Sequence, residues 1–323
     1  MRDHGGDPDR ARARWGEGDW LDLSTGINPV PYPLPPLPEA AWTALPTATA
    51  LRGLGDAARL AYATPLDAVP VAGAQAAIQI VPRLAPPGRA AVLSPTYNEH
   101  AGALSSQGWQ VAAAEDADAL RGADIAVVVN PNNPDGRVTA GDTLLRLAGT
   151  VGLLVVDESF ADATPGVSVA GRSDLPGNVL ILRSFGKFYG LAGLRLGFAL
   201  ARADLAARVG TLAGPWAVGG PAIAVGCAAL ADDAWRRRTL DRLAADADRL
   251  DRLAARVGWR LVGGTPLFRT YATGDAAAAQ DRLARARIWS RIFPYSDRWL
   301  RLGLPGTDDG WRRLEDALTP PSR

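Results

Sequence analysis

A chain of 323 residues with a net charge of +1 and 47% hydrophobic residues is long enough for one large domain or two ordinary ones, and it can bury a substantial core. Near-neutral charge without a basic block argues against nucleic acid as a partner. The single Cys227 excludes an internal disulfide and a cysteine-rich metal site, and with only His4 and His100 no metal centre is expected.

In chain order, the first twenty residues, MRDHGGDPDRARARWGEGDW, are charged and lack the apolar stretch of a signal peptide. No apolar run is long and clean enough to span a membrane, so the expectation is a soluble cytoplasmic protein. Residues 1–40 end in NPVPYPLPPLP and read as an ordered arm, because proline at that density enforces extended backbone. From about Asp67 short apolar runs alternate with helical patterns. The expected strands are 68–72, 89–93, 109–114, 124–130, 152–158, 178–184 and 195–200, with helices such as AQAAIQIVPRLA and GDTLLRLAGTVG between them. This is the pattern of an α/β domain with a mostly parallel seven-stranded sheet. The last two strands are joined by too few residues for a helical crossover, so one of them is expected to run antiparallel. Residues 203–257 read as mostly helical. The strand-like WRLVGG, LFRTYA, IWSRIF and RWLRLGL, with two helices, then describe a smaller α+β domain. The expected division is an arm over 1–40, a large domain over 41–225 and a small domain over 226–323.

Ligands in open α/β sheets bind beyond the carboxyl ends of the strands. Five polar or glycine-rich signals fall there: AGAQ, SPTYNEH, NPNNPDG, DESF and SFGK. Each has a bland reading as a turn, a cap or a packed ring. Together they suggest one site. Lys187 is the only lysine among thirty-five basic residues. Arginine can replace a solvated surface lysine, but not one whose amine must lose its proton and attack a carbonyl. Asp157 ends the apolar run LLVV, where a carboxylate is costly unless a donor or cation meets it; it would serve a protonated heterocyclic nitrogen. Tyr97 would stack on a flat cofactor, NNPDG would hold an asparagine side chain over it, and the GAQ turn with Ser184 and Arg195 would hold a phosphate. The combination describes pyridoxal phosphate held as a Schiff base on Lys187.

With S-x-x-K followed eight residues later by arginine, with NNPDG, and with Asp-Glu closing a strand, the chain resembles the fold-type I pyridoxal-phosphate enzymes of the aminotransferase superfamily. The resemblance spans nearly the whole sequence. It implies the cofactor linkage at Lys187, the pyridine contact at Asp157, the ring-hydroxyl contact at Asn133, stacking at Tyr97, and phosphate binding at Ala74, Gln75, Ser184 and Arg195. It also implies a homodimer. DHGG (3–6), DLSTGINP (22–29), GPWAVGG (214–220) and Phe160, where related aminotransferases usually carry Tyr, resemble the threonine-phosphate decarboxylase family of cobalamin biosynthesis. That family acts on L-threonine O-3-phosphate and forms (R)-1-amino-2-propanol phosphate. This likeness puts His4, Gly5, Gly26, Asn133, Arg291 and Arg301 at the substrate. An aminotransferase acting on histidinol phosphate is the alternative, and a non-catalytic binding protein on the same fold is a third reading. Two features depart from the family pattern. Leu45 stands where related aminotransferases have a Tyr thought to reach the neighbouring subunit's cofactor phosphate. Gly26 leaves only backbone for any contact there.

Overall fold

The computed structural model describes residues His4–Thr319; Asp3 of the DHGG stretch lies outside the described residues. The chain forms two compact units. The larger comprises Tyr32–Asn133 and Arg137–Arg236; the smaller comprises the described residues up to Pro31, Pro134–Gly136, and Arg237 onward.

The arm carries helix α1 (Pro8–Trp15), which has proline in its first turn, and the two-residue strand β1 (Leu21–Asp22). The larger unit begins with α2 (Ala40–Thr43) and α3 (Ala48–Ala61). Thr47 caps α3 by accepting a hydrogen bond from the Ala50 amide. Strands and helices then alternate: β2 (Asp67–Val71), α4 (Ala74–Ile80), β3 (Arg89–Leu93), α5 (Glu99–Ser106), β4 (Gln110–Ala114), β5 (Ile125–Val129), α6 (Gly141–Ala148) and β6 (Leu153–Asp157). After β7 (Val179–Ser184) come the one-turn α7 (Phe185–Phe188), β8 (Gly197–Ala201), α8 (Ala203–Ala213) and α9 (Gly220–Ala231). The long α10 (Asp233–Arg256) gives the smaller unit its residues from Arg237 onward. That unit continues with β9 (Arg260–Thr265), β10 (Phe268–Ala272), α11 (Ala276–Arg285), β11 (Ile288–Trp289), β12 (Arg291–Phe293), β13 (Ser296–Gly303) and α12 (Asp308–Leu318).

The seven strands of the larger unit form one sheet in the order β2-β8-β7-β6-β5-β3-β4. Strand β8 alone is antiparallel to its neighbours β2 and β7, as the short β7–β8 connection requires. Strands β5 and β6 are buried along their whole length. That is why both read as continuous apolar runs instead of alternating ones. Ile125 and Val127 of β5 and Leu153 and Val155 of β6 pack with Ile78, Val92, Leu104 and Leu180 in one buried cluster.

The unit boundaries differ from those expected. Tyr32 belongs to the larger unit, since its amide donates to the Tyr189 carbonyl at 2.9 Å and its ring meets Tyr189 and Trp235 edge-on. The expected cut at 225 falls inside α9, which lies wholly in the larger unit and packs on α3, whereas the division falls within α10; a Cβ at Gly226 would stand only 2.9 Å from Leu54. In the smaller unit, IWSRIF is two strands instead of one. Strand β11 pairs parallel with β1 of the arm, whereas β12 pairs antiparallel with β13. Ser290, at the break, lets one segment serve two sheets.

Leu180 is the second residue of β7, opposite Val155, and is 1% exposed. Leu180→Ala is expected to lower stability by about 2–5 kcal/mol, read as a lower urea midpoint with an unchanged slope.

Candidate active site

Four of the strand ends and the turn before α4 open on one cavity of about 170 Å³ in the larger unit. All eight residues expected to hold the cofactor line it: Ala74, Gln75, Tyr97, Asn133, Asp157, Ser184, Lys187 and Arg195. Strand β7 delivers Ser184 and, one turn on, Lys187; β6 delivers Asp157.

Asp157 is 2% exposed, and its carboxylate is fully engaged. Oδ2 lies 2.8 Å from His100 Nε2. Oδ1 accepts from the Ser159 amide at 2.9 Å and from Ser159 Oγ at 2.5 Å. Burial opposes its ionisation, but the hydrogen bond and charge of His100 and the two bonds from Ser159 outweigh that and hold the carboxyl below its ordinary range. An ionised carboxylate only accepts, so His100 carries its proton on Nε2. The site therefore keeps a buried negative charge facing the cavity.

The opposite charge comes from Arg195. Its backbone is left-handed at φ 54, a conformation that non-glycine residues rarely hold and that concentrates at functional positions. Its guanidinium lies against Gly73: a Cβ there would be 2.9 Å from Nη2. Gly73 itself is left-handed at φ 77, a backbone conformation that favours glycine. Beside this cradle Gln75 donates to Glu99 at 3.0 Å and accepts from Tyr97 Oη at 3.3 Å. Asn132, next to Asn133, accepts from Thr96 Oγ1 and donates to the Pro95 carbonyl, which leaves Asn133 as the member of NNPDG that reaches the cavity. Phe160 is buried and lines the wall, with Lys187 Nζ 5.6 Å from its ring centroid.

Ala74, Gln75, Ser184 and Arg195, which could hold a phosphate, together with a buried carboxylate, a flat tyrosine ring and one lysine amine on the same cavity, fit pyridoxal phosphate in charge and chemistry. Sequence reasoning missed His100 and Ser159. The signal for both was present: a carboxylate ending an apolar strand demands donors, and His100 closes the SPTYNEH stretch already assigned to the strand-end crevice.

In the smaller unit, His4, Gly5 and Arg291 line a cavity of about 490 Å³, with Arg10, Arg14 and Ser24. Among the described residues no carboxylate lines it. Arg301 lies outside its wall but donates to the Ser24 carbonyl at 2.6 Å. Arg291 and Arg301 are direct cross-strand partners on β12 and β13, a like-charge pairing that costs stability. Burial, with help from the Arg291 cation, pulls the Arg301 guanidinium down to about 10. Gly26 is buried and does not line the cavity. Such a pair is relieved when an anion sits beside it.

The family model for aminotransferases of class I and II matches residues 47–318. A threonine-phosphate decarboxylase of Sinorhizobium sp is 45% identical over 98% of this chain and 97% of its own length. The enzyme of that name from Pseudomonas aeruginosa is also 45% identical, with the same coverage. Among solved structures, histidinol-phosphate aminotransferase from Sinorhizobium meliloti, in complex with pyridoxal-5'-phosphate, superposes with a TM-score of 0.82 at 20% identity, covering 98% of this chain and 94% of that one; this likeness concerns the fold.

His100→Phe removes the donor to Asp157 Oδ2 and deepens the apolar surroundings. A depressed carboxyl stabilises the fold above its unfolded value, and that stabilisation is lost as pH falls through the folded value. The variant raises the folded value, so its loss of stability on acidification is expected to begin at higher pH. At pH 7 it should be about 1.5–3 kcal/mol less stable. Urea unfolding between pH 3 and 7 measures both.

Proposed function

We propose that the chain, which belongs to the aminotransferase class I and II family, is a pyridoxal-phosphate-dependent decarboxylase of L-threonine O-3-phosphate. The observation that carries the reading is the convergence of Lys187, Asp157 and the phosphate cradle on one cavity. The full-length likeness to two threonine-phosphate decarboxylases supports this reaction over transamination.

Bound in the cavity, pyridoxal phosphate would supply an electron sink for the pair released when the Cα–carboxylate bond breaks. Lys187 would hold the cofactor through Nζ and would carry the proton that Cα needs. Asp157, fixed by His100 and Ser159, keeps the facing ring nitrogen protonated. Ser184, Arg195 and the backbone at Ala74 and Gln75 hold the cofactor phosphate. Tyr97 stacks on the ring, and Asn133 contacts its hydroxyl and the substrate. Phe160 offers a ring with no hydroxyl beside Lys187. His4, Gly5, Arg291 and Arg301 would bind the anionic groups of the substrate. The protein's share of the chemistry would be orientation: the residues that hold the substrate's anionic groups would set which bond at Cα breaks. The balance is one substrate and one proton giving carbon dioxide and (R)-1-amino-2-propanol phosphate, a product that the family resemblance assigns to cobalamin biosynthesis.

The same reading makes the protein a cytoplasmic homodimer. Leu34, Trp42 and Leu45, all within one short segment, are 65%, 69% and 67% exposed, and apolar exposure on that scale suits a second copy. Among the described residues no helix is long and apolar enough to cross a membrane.

Purified protein with pyridoxal phosphate and no oxo-acid acceptor is expected to release carbon dioxide continuously from L-threonine O-3-phosphate. Lys187→Ala should lose this activity by at least about 1000-fold. Amino transfer from histidinol phosphate to 2-oxoglutarate without that release would instead establish an aminotransferase. Light scattering of Trp42→Glu should show a shift from dimer towards monomer; an unchanged mass would remove Trp42 from the interface.

A further inference from the structure

Side chains alternate across a strand. Asp157 and Ser184 reach the cavity, while their chain neighbours Glu158 and Arg183 do not line it. Those two meet behind it. Arg183 Nη1 lies 2.7 Å from Glu158 Oε2, and Nη2 pairs with Asp162 Oδ1. The three side chains are 4%, 0% and 10% exposed. Glu158 also accepts from Ser168 Oγ at 2.5 Å and from the Val169 amide at 2.7 Å, and the guanidinium lies 4.2 Å over the Tyr62 ring. One fork thus ties the end of β7 to both ends of the segment from Glu158 to Asp162. That segment carries Ser159, which holds Asp157, and Phe160, which lines the cavity.

Stability alone is a poor reason to keep such a cluster, because buried ion groups replaced together by neutral residues often cost nothing. We propose that Arg183 is a positioning residue, whose fork locks the Glu158–Asp162 segment onto β7 and so fixes Asp157 relative to Ser184 and Lys187. The effect on turnover rests on the decarboxylase reading; the effect on the cofactor does not.

The test compares wild type, Arg183→Met and the neutral triple variant Glu158→Gln/Asp162→Asn/Arg183→Met, each loaded with pyridoxal phosphate. Three quantities are measured: Tm, kcat and KM for carbon dioxide release, and the midpoint of the pH titration of the cofactor's visible absorbance without substrate. Arg183→Met is expected to lower Tm, to shift the midpoint, and to reduce kcat roughly 100-fold, the scale expected for a misplacement of about 1 Å, with KM nearly unchanged. The triple variant should regain Tm but neither kcat nor the midpoint. Recovery of all three in the triple variant, or an Arg183→Met enzyme with unchanged midpoint and kcat within twofold, would overturn the proposal. If Arg183→Met does not fold, the triple variant decides by the same criteria. If wild type releases no carbon dioxide, the decarboxylase reading fails while the absorbance titration still judges the clamp.

Discussion

Asp157 ends a strand whose other four residues are apolar and buried, and much of the larger unit is arranged to meet that carboxylate. A charge in such a place is tolerated only when its oxygens are hydrogen-bonded. Ser159 can do half of this locally, through a turn that brings its amide and hydroxyl back to Oδ1. The other half has to come from elsewhere in the sequence, and His100 on α5 supplies it. The connection from β3 to α5 therefore has two tasks. It presents Tyr97 to the cavity and His100 to the carboxylate, and the two rings meet edge-on at 6.2 Å. Behind the strand, Glu158 anchors the same segment from the opposite face. The charge is fixed before any ligand arrives, which is what electrostatic preorganisation requires.

The smaller unit shows the same physics with the sign reversed. Arg291 and Arg301 face each other across β12 and β13, and the Asp22 carboxylate offsets part of the repulsion at Arg301. On the neighbouring strand β10, Arg269 instead pairs directly with Asp251 at 2.6 Å. Ser290 belongs to this arrangement. By ending β11 and starting β12 it lets β11 tie down the arm through β1 while β12 sets Arg291 opposite Arg301.

The larger unit was legible because its signals are redundant. Each strand of the sheet is a short apolar run bounded by turn residues, and the strand ends fall within one or two positions of those read from the sequence. The antiparallel β8 followed from loop length alone. The cofactor cavity was legible for a different reason: five strand-end signals converge only if the sheet forms, so each supports the others. What escaped was whatever depends on pairing at long range. Helix α1 carries too little apolar surface to announce itself, and Ala11 is its one buried residue. The split of IWSRIF depends on a partner strand more than 260 residues earlier. The domain cut failed at α9 because helical periodicity continues through both units. His100 looked like a residue too scarce to matter, since a lone histidine was weighed only as a metal ligand.

Composition worked in opposite directions at the two ends of the chemistry. A chain with a single lysine makes Lys187 conspicuous, because a solvated charge can drift to arginine whereas a nucleophilic amine cannot. The same drift hides Arg291 and Arg301 among dozens of arginines, and only their cross-strand placement distinguishes them. Yet lysine and aspartate serve transamination and decarboxylation equally well, since both reactions need the electron sink and a proton carrier. What selects between them is which bond at Cα breaks, and that depends on where the substrate's anionic groups are anchored. In the proposed reaction the specificity therefore lies with the residues that the sequence advertises least, and the conspicuous lysine identifies only the cofactor.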